Sequence, residues 1–135
     1  MHLGVDIWAV TGTCVFAPIG GMVHSFANNS ANGDYGGTII LLHQLEGIAF
    51  YTLYGHLSLA SIAPIKEGDY IIRGGIVGYL GTEQENGNWP PHLHFQVIEN
   101  IEMKEGDYPG VCAKSQLAYY RQNCPDANLM VNITQ

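Results

Sequence analysis

Basic residues are scarce in this chain. Five Lys and Arg stand against twelve Asp and Glu in 135 residues, a formal net charge of −7. That balance argues against nucleic acid or an anionic membrane surface as the main partner, because both require a basic footprint. It suits a peptide or polycationic ligand, and plain solubility equally well. Long apolar runs are missing too. Ile39-Ile40-Leu41-Leu42 has the length of a strand, so no membrane insertion is expected. No basic-then-apolar leader opens the sequence. Cys14, Cys112 and Cys124 supply neither an even set nor a CxxC pair, and they read as reduced, partly buried thiols of a reducing compartment. Nucleotide, flavin and haem motifs are absent. With 13% charged and 47% apolar residues, the chain is neither disordered nor a charge-laced helix, and its length makes one domain able to bury a core.

What is present is the punctuation of an all-β protein. Seventeen glycines and six prolines divide the chain into short segments rich in Val, Ile, Thr, Tyr and Phe. Strands are expected near Thr13–Ala17, Gly21–Ala27, Gly37–Gln44, Ala49–Leu57, Tyr70–Ile72, Ile76–Leu80 and His92–Ile98. Turn clusters separate them at Asn28–Asp34, Lys66–Asp69 and Glu85–Asn88. Ser115–Gln122 alone has the look of a short helix. From about residue 101 the chain becomes a Gly/Pro-interrupted tail expected to wrap the sheet, so residues 1–100 read as the core and 101–135 as an extension packed on the same domain. The segments Phe16–Val23 and Ile65–Gly78 resemble the two halves of biotinyl and lipoyl carrier domains. No lysine precedes Lys66, however, so a carrier function fails on chemistry and only the fold hint of a flattened barrel survives.

The most informative stretch is His92-Leu93-His94-Phe95. In an extended strand alternate side chains share a face, so His92 and His94 point together over an apolar back. His2 and Asp6 are spaced by four, an even number, and also share a face if extended. Three or four metal-type ligands in two short segments point to a catalytic zinc site, in which three protein ligands leave one tetrahedral position open.

The order His2-x-x-x-Asp6, Tyr54-Gly55-His56-Leu57, His92-Leu93-His94-Phe95 resembles the LytM-type zinc metallopeptidases, the lysostaphin-like peptidase family M23. Tyr35–His43 is similar to that family's "YGNxVxIxH" strand, and the resemblance covers roughly residues 2 to 98. It implies an antiparallel β-sandwich or flattened barrel of the duplicated hybrid motif type, with a groove at its face and a short helical or irregular C-terminal tail. It implies further that His2, Asp6 and His94 are the zinc ligands, with His56 and His92 as the catalytic pair. A carboxylate among three ligands leaves the metal net positive, and a neutral imidazole of pKa about 6.5 is suited to take a proton from water. Which of the two histidines is the base stays open.

The other candidates carry plainer readings. His24 and His43 are expected to be structural, His43 through a hydrogen bond at its strand end. Tyr51 and Tyr54 are expected to pack in the core, and Trp89 to stiffen its loop, with a groove wall as its other role. Tyr35 can offer its hydroxyl to a substrate. Asn132-Ile133-Thr134 matches a glycosylation sequon that matters only with a secretory route. The sequence departs from the family's "STGPHLHFEV" pattern at Gly87–Pro91 and places Gln96 where a glutamate is common, which bears on substrate more than on chemistry.

The expected function is a zinc-dependent metalloendopeptidase acting on peptidoglycan cross-bridge or stem peptides. The alternatives are a catalytically idle peptide-binding or regulatory domain of a larger protein, and a histidine phosphocarrier, in which the His92-x-His94 pair would have no role. The tail resembles that of a subgroup joined to further domains. Because His2 follows Met1 directly, more chain is expected upstream in the natural protein, and with it a sheet edge open to self-association. The lack of a leader and the odd cysteine count lean cytoplasmic, whereas the family resemblance leans to the cell envelope.

Overall fold

A computed structural model describes residues 2–127. Eight strands are present: β1 (Val5–Trp8), β2 (Cys14–Phe16), β3 (Gly21–Asn29), β4 (Gly36–Leu45), β5 (Ile48–Leu57), β6 (Tyr70–Ile71), β7 (Ile76–Tyr79) and β8 (His92–Ile98). Six form one antiparallel sheet in the order β1-β8-β5-β4-β3-β6, and β2 and β7 pair as a separate ribbon. A bridge between Leu57 and Leu80 joins ribbon to sheet. This is a flattened, mostly antiparallel arrangement, and no barrel closes among the described residues. Helices are few: α1 (Leu59–Ile62), and α2 (Leu117–Asn123) behind a 3-10 turn at Lys114–Gln116. No helix among the described residues is long and apolar enough to cross a membrane.

Seven of the strands fall within two residues of the expected ends, and β8 matches His92–Ile98. The eighth, β1, was expected only conditionally, from the His2/Asp6 spacing. The single turn α1 carried no sequence signal. The C-terminal helix ends one residue beyond the expected Ser115–Gln122 and begins in the 3-10 turn. The sequon at Asn132 lies outside the described residues.

Period-2 alternation puts two cores on the two faces of the large sheet. Ile39, Leu41, Tyr54, Leu57, Phe95 and Val97 pack on one face beneath the β2–β7 ribbon residues Val15 and Val77. On the other face Ile40, Leu53 and Ile98 pack against Leu3, Tyr35 and the tail residues Ile101, Tyr108 and Cys124. Burial of each such side chain contributes about 1.5–3 kcal/mol. The tail therefore closes the second core, which is the face that carries His92 and His94.

His43 is structural. Its Nδ1 lies 2.8 Å from the Gly20 carbonyl and its Nε2 2.6 Å from the Thr52 hydroxyl, which is in turn 2.8 Å from that of Tyr54. Burial pulls its pKa below the ordinary imidazole value, against an upward pull from the Gly20 hydrogen bond. Tyr54 is fully buried in the core, as expected. None of the cysteines is in a disulfide: Cys14 is exposed, Cys112 half-buried and Cys124 buried.

Candidate metal centre and cleft

β1 and β8 lie side by side with Asp6 opposite His94 and Trp8 opposite His92. Both pairs project from the tail-side face. His2 sits just before β1, where it bridges Val111 of the tail, and the Leu3 N–H donates to the Gly110 carbonyl at 2.7 Å. Gly4 explains the spacing. A Cβ there would lie 2.5 Å from the Phe95 carbonyl oxygen and 2.8 Å from Nε2 of His94, so only glycine lets β1 pass this close.

The result is a tight cluster on one carboxylate oxygen. Asp6 Oδ1 lies 3.3 Å from His2 Nε2, 3.4 Å from His94 Nδ1 and 3.7 Å from His92 Nε2. The ligand atoms of His2, Asp6 and His94 all fall within 4.8 Å of one another. A tetrahedral zinc with bonds of about 2.0–2.1 Å separates neighbouring ligand atoms by about 3.3–3.4 Å, so the spacing of Asp6 from both His2 and His94 suits the ion. The close contact with His94, and the charge of the neighbouring histidines when they are protonated, hold the Asp6 carboxyl below its usual range, against an upward push from burial. An ionised carboxylate is what a cation needs at that position.

His56 and His92 stand beside this cluster with ring centroids 4.2 Å apart. Each is anchored through Nδ1 on a backbone carbonyl: His56 on Asn86 at 2.8 Å, His92 on Pro90 at 2.7 Å. A carbonyl only accepts, so Nδ1 carries a proton in both rings, and Nε2 is the nitrogen left to hold the lone pair of the neutral form. Burial drives the His56 pKa down to about 4, with the Asn86 hydrogen bond opposing part of the shift. The ring is therefore neutral at pH 7.

His56 reaches this face through an irregularity. One residue of β4, Thr38, stands between Gly37 and Ile39, whereas two residues of β5, Gly55 and His56, stand between their partners Leu57 and Tyr54. The extra residue is a bulge, a device that re-aims a side chain. Strict alternation from Tyr54 would turn His56 into the core. Its backbone instead takes φ 67°, held by its N–H on the Tyr35 carbonyl at 2.7 Å and by the Gly81 N–H on its own carbonyl at 3.0 Å.

Around the cluster opens a cleft of about 600 Å³, walled by Tyr35, Trp89 and tail residues Lys104–Val111. Trp89 is thus a groove wall; Asn86 holds its loop by bonding both its N–H and its carbonyl. The Tyr35 hydroxyl, read from the sequence only as one that can reach a substrate, donates to the Tyr108 carbonyl at 2.9 Å. The structure brings all five expected residues, His2, Asp6, His56, His92 and His94, to one place. Sequence reasoning gave no role to Trp8, whose exposed ring lies over His92 at 4.5 Å. It noted Gln96 only as a departure, yet its Oε1 is 2.8 Å from Nε2 of His94. Asn86 was hidden in a turn cluster of ordinary composition.

The sequence profile of peptidase family M23 matches residues 1–105. The chain belongs to that family. Among solved structures, this family member is similar to the catalytic domain of the antimicrobial peptidase lysostaphin from Staphylococcus simulans, with 29% identity, TM-score 0.61 and coverage of 90% of this chain and 80% of that one. It is similar to LytU at 26% identity and TM-score 0.59 over 96% and 78% of the two chains. It shares a fold with a point mutant of the catalytic domain of the prophage-encoded M23 protein EnpA from Enterococcus faecalis, at 24% identity and TM-score 0.60 over 82% and 80%. No curated protein matches. The M23 assignment carries with it the fold and the class of peptidase.

Proposed function

We propose that this M23 chain is a zinc-dependent metalloendopeptidase that hydrolyses peptide amide bonds, with peptidoglycan cross-bridge or stem peptides as the substrate class. The observation that carries the reading is the convergence of His2 and His94 on Asp6, each at tetrahedral ligand spacing from its carboxylate, beside two imidazoles anchored through Nδ1. His2, Asp6 and His94 would hold the ion. When bound, zinc supplies a Lewis acid that polarises the scissile carbonyl and activates water near neutral pH.

The chain's own residues supply the rest. His56 and His92 each direct Nε2 away from the anchoring carbonyl, where it can accept a proton and then donate a hydrogen bond to the oxyanion developing on the substrate. Asn86 and Pro90 hold the two rings in the tautomer this requires. The cleft between Trp89 and the tail admits an extended peptide, and the resemblance to lysostaphin supports a cell-wall peptide as its occupant.

The test is zinc content after dialysis against metal-free buffer, paired with cleavage of synthetic cross-bridge and stem peptides. About one zinc per wild-type chain, almost none in His94→Ala and cleavage only by the loaded wild type are expected. A chain that takes up no zinc would remove the metallopeptidase reading. One that binds zinc and peptides without cleaving would turn out to be an idle peptide-binding domain.

A further inference from the structure

Gln96 lies two residues beyond His94 on the same face of β8 and is fully buried. Its amide is saturated. Oε1 is 2.8 Å from Nε2 of His94, while Nε2 donates to the Pro109 carbonyl at 3.0 Å and to Sγ of Cys124 at 3.4 Å. The direction of this chain of bonds is forced. The Pro109 carbonyl can only accept, so the NH2 end of the amide must face the tail and the oxygen must face His94. An oxygen acceptor there requires the proton of His94 on Nε2, which leaves the lone pair on Nδ1, the nitrogen facing Asp6. Gly4 keeps this contact open, since a Cβ at that position would lie 2.8 Å from the bonded Nε2.

We infer that Gln96 is a positioning residue that locks His94 in the metal-ligating tautomer, and that Pro109 and Cys124 of the C-terminal tail set the orientation of its amide. This rests on the reading of His2, Asp6 and His94 as metal ligands. It makes Pro109 and Cys124, which lie beyond the family-matched residues 1–105, working parts of the metal centre. The tail is well held for that task. The Gly110 carbonyl accepts from Leu3 N–H beside His2, the Tyr108 carbonyl accepts from the Tyr35 hydroxyl, and the Cys124 N–H closes on Tyr120 at 2.7 Å. Gly110 itself passes so close that a Cβ there would overlap the Tyr35 hydroxyl and sit 3.1 Å from Cε1 of His94. Groups that hold a metal-bound imidazole through its second nitrogen typically change metal affinity about 10- to 100-fold when lost.

The experiment combines two readouts on folded protein: the His94 tautomer by long-range proton–nitrogen NMR of the metal-free chain in mildly alkaline buffer, and the zinc dissociation constant by chelator competition. Wild type is expected to show a single Nε2–H tautomer. Gln96→Leu removes both arms of the contact and is expected to show mixed tautomers and zinc affinity weakened about 10- to 100-fold. Gln96→Glu keeps an acceptor for His94 but cannot donate to Pro109, and is expected to retain the Nε2–H form and recover most of the affinity. An Nδ1–H tautomer in wild type, or a Gln96→Leu protein with unchanged tautomer and affinity, overturns the inference. If Gln96→Leu fails to fold, a folded Gln96→Glu that loses the Nε2–H form overturns it equally. A wild type that binds no zinc defeats the metal-centre reading instead, and the tautomer measurement still judges Gln96 separately.

Discussion

His56 is held in the left-handed backbone region, where a residue with a side chain sits at a cost of about 1–3 kcal/mol unless its surroundings impose it. Tyr35 and Gly81 impose it through the main chain, and Asn86 then fixes the ring. Strain concentrated on one imidazole in the cleft, away from the three candidate ligand atoms, predicts a separation of functions. His56→Ala is expected to bind zinc like wild type while peptide cleavage falls by about 10²- to 10⁴-fold, the usual contribution of a positioned acid–base group. Zinc content and initial rates measured on the same sample check this. Loss of both together would place His56 among the ligands.

Among the elements, β1, β8 and the tail depend on one another. β1 is four residues long and stands at the edge of the sheet, so its hold on β8 is supplemented at His2 and Leu3 by the tail. Asn123, at the end of α2, is the clasp that brings the tail back. Its Oδ1 accepts from the Asn100 N–H at 2.7 Å, and its Nδ2 donates to the Asn100 carbonyl at 2.8 Å and the Tyr108 hydroxyl at 2.6 Å. Glu102 accepts from the hydroxyls of Tyr108 and Tyr119, which keeps its carboxyl below the ordinary range. Asn123→Ala leaves buried partners unsatisfied and is expected to lower unfolding free energy by about 1–3 kcal/mol. Urea unfolding followed by tryptophan fluorescence reads this directly, and a midpoint equal to that of wild type would mean that the tail is held by its apolar contacts alone.

At the scale of the molecule, stability should depend on both pH and metal. The folded-state pKa of His43 lies below the unfolded one because the ring is buried. Between the two values the unfolded chain binds more protons, so stability rises with pH there. The full contribution is present above the unfolded imidazole value of about 6.5 and is lost as pH falls below it. The wild type is therefore expected to lose more stability than His43→Gln on going from about pH 7.5 to about pH 5, a range that straddles that value. Parallel pH profiles of the urea midpoint would contradict this. On the proposed zinc reading metal is expected to act by mass action: at about 1,000 times its dissociation constant zinc would add about 4 kcal/mol. Chelation should accordingly lower the Tm of wild type and leave that of His94→Ala unchanged.

How much of this was legible in the sequence follows from which features are local. The alternation in His92-Leu93-His94-Phe95 places two imidazoles over an apolar back whatever the rest of the chain does, because strand geometry has a period of two. The even spacing of His2 and Asp6 and the glycine between them likewise belong to one short segment. All-β class, most strand positions and the ligand candidates could therefore be read directly. His56 could not, because its orientation comes from an unequal residue count between β4 and β5 and a main chain pinned by Tyr35 and Gly81, partners 21 and 25 positions away. Nor could the role of Gln96, whose amide is oriented by Pro109 and Cys124, 13 and 28 positions distant. The sequence alone determined which side chains are candidates to bind a metal and move protons. The tertiary structure decided which nitrogen of each ring faces the cleft, because that depends on which carbonyl or amide the fold brings to the other nitrogen.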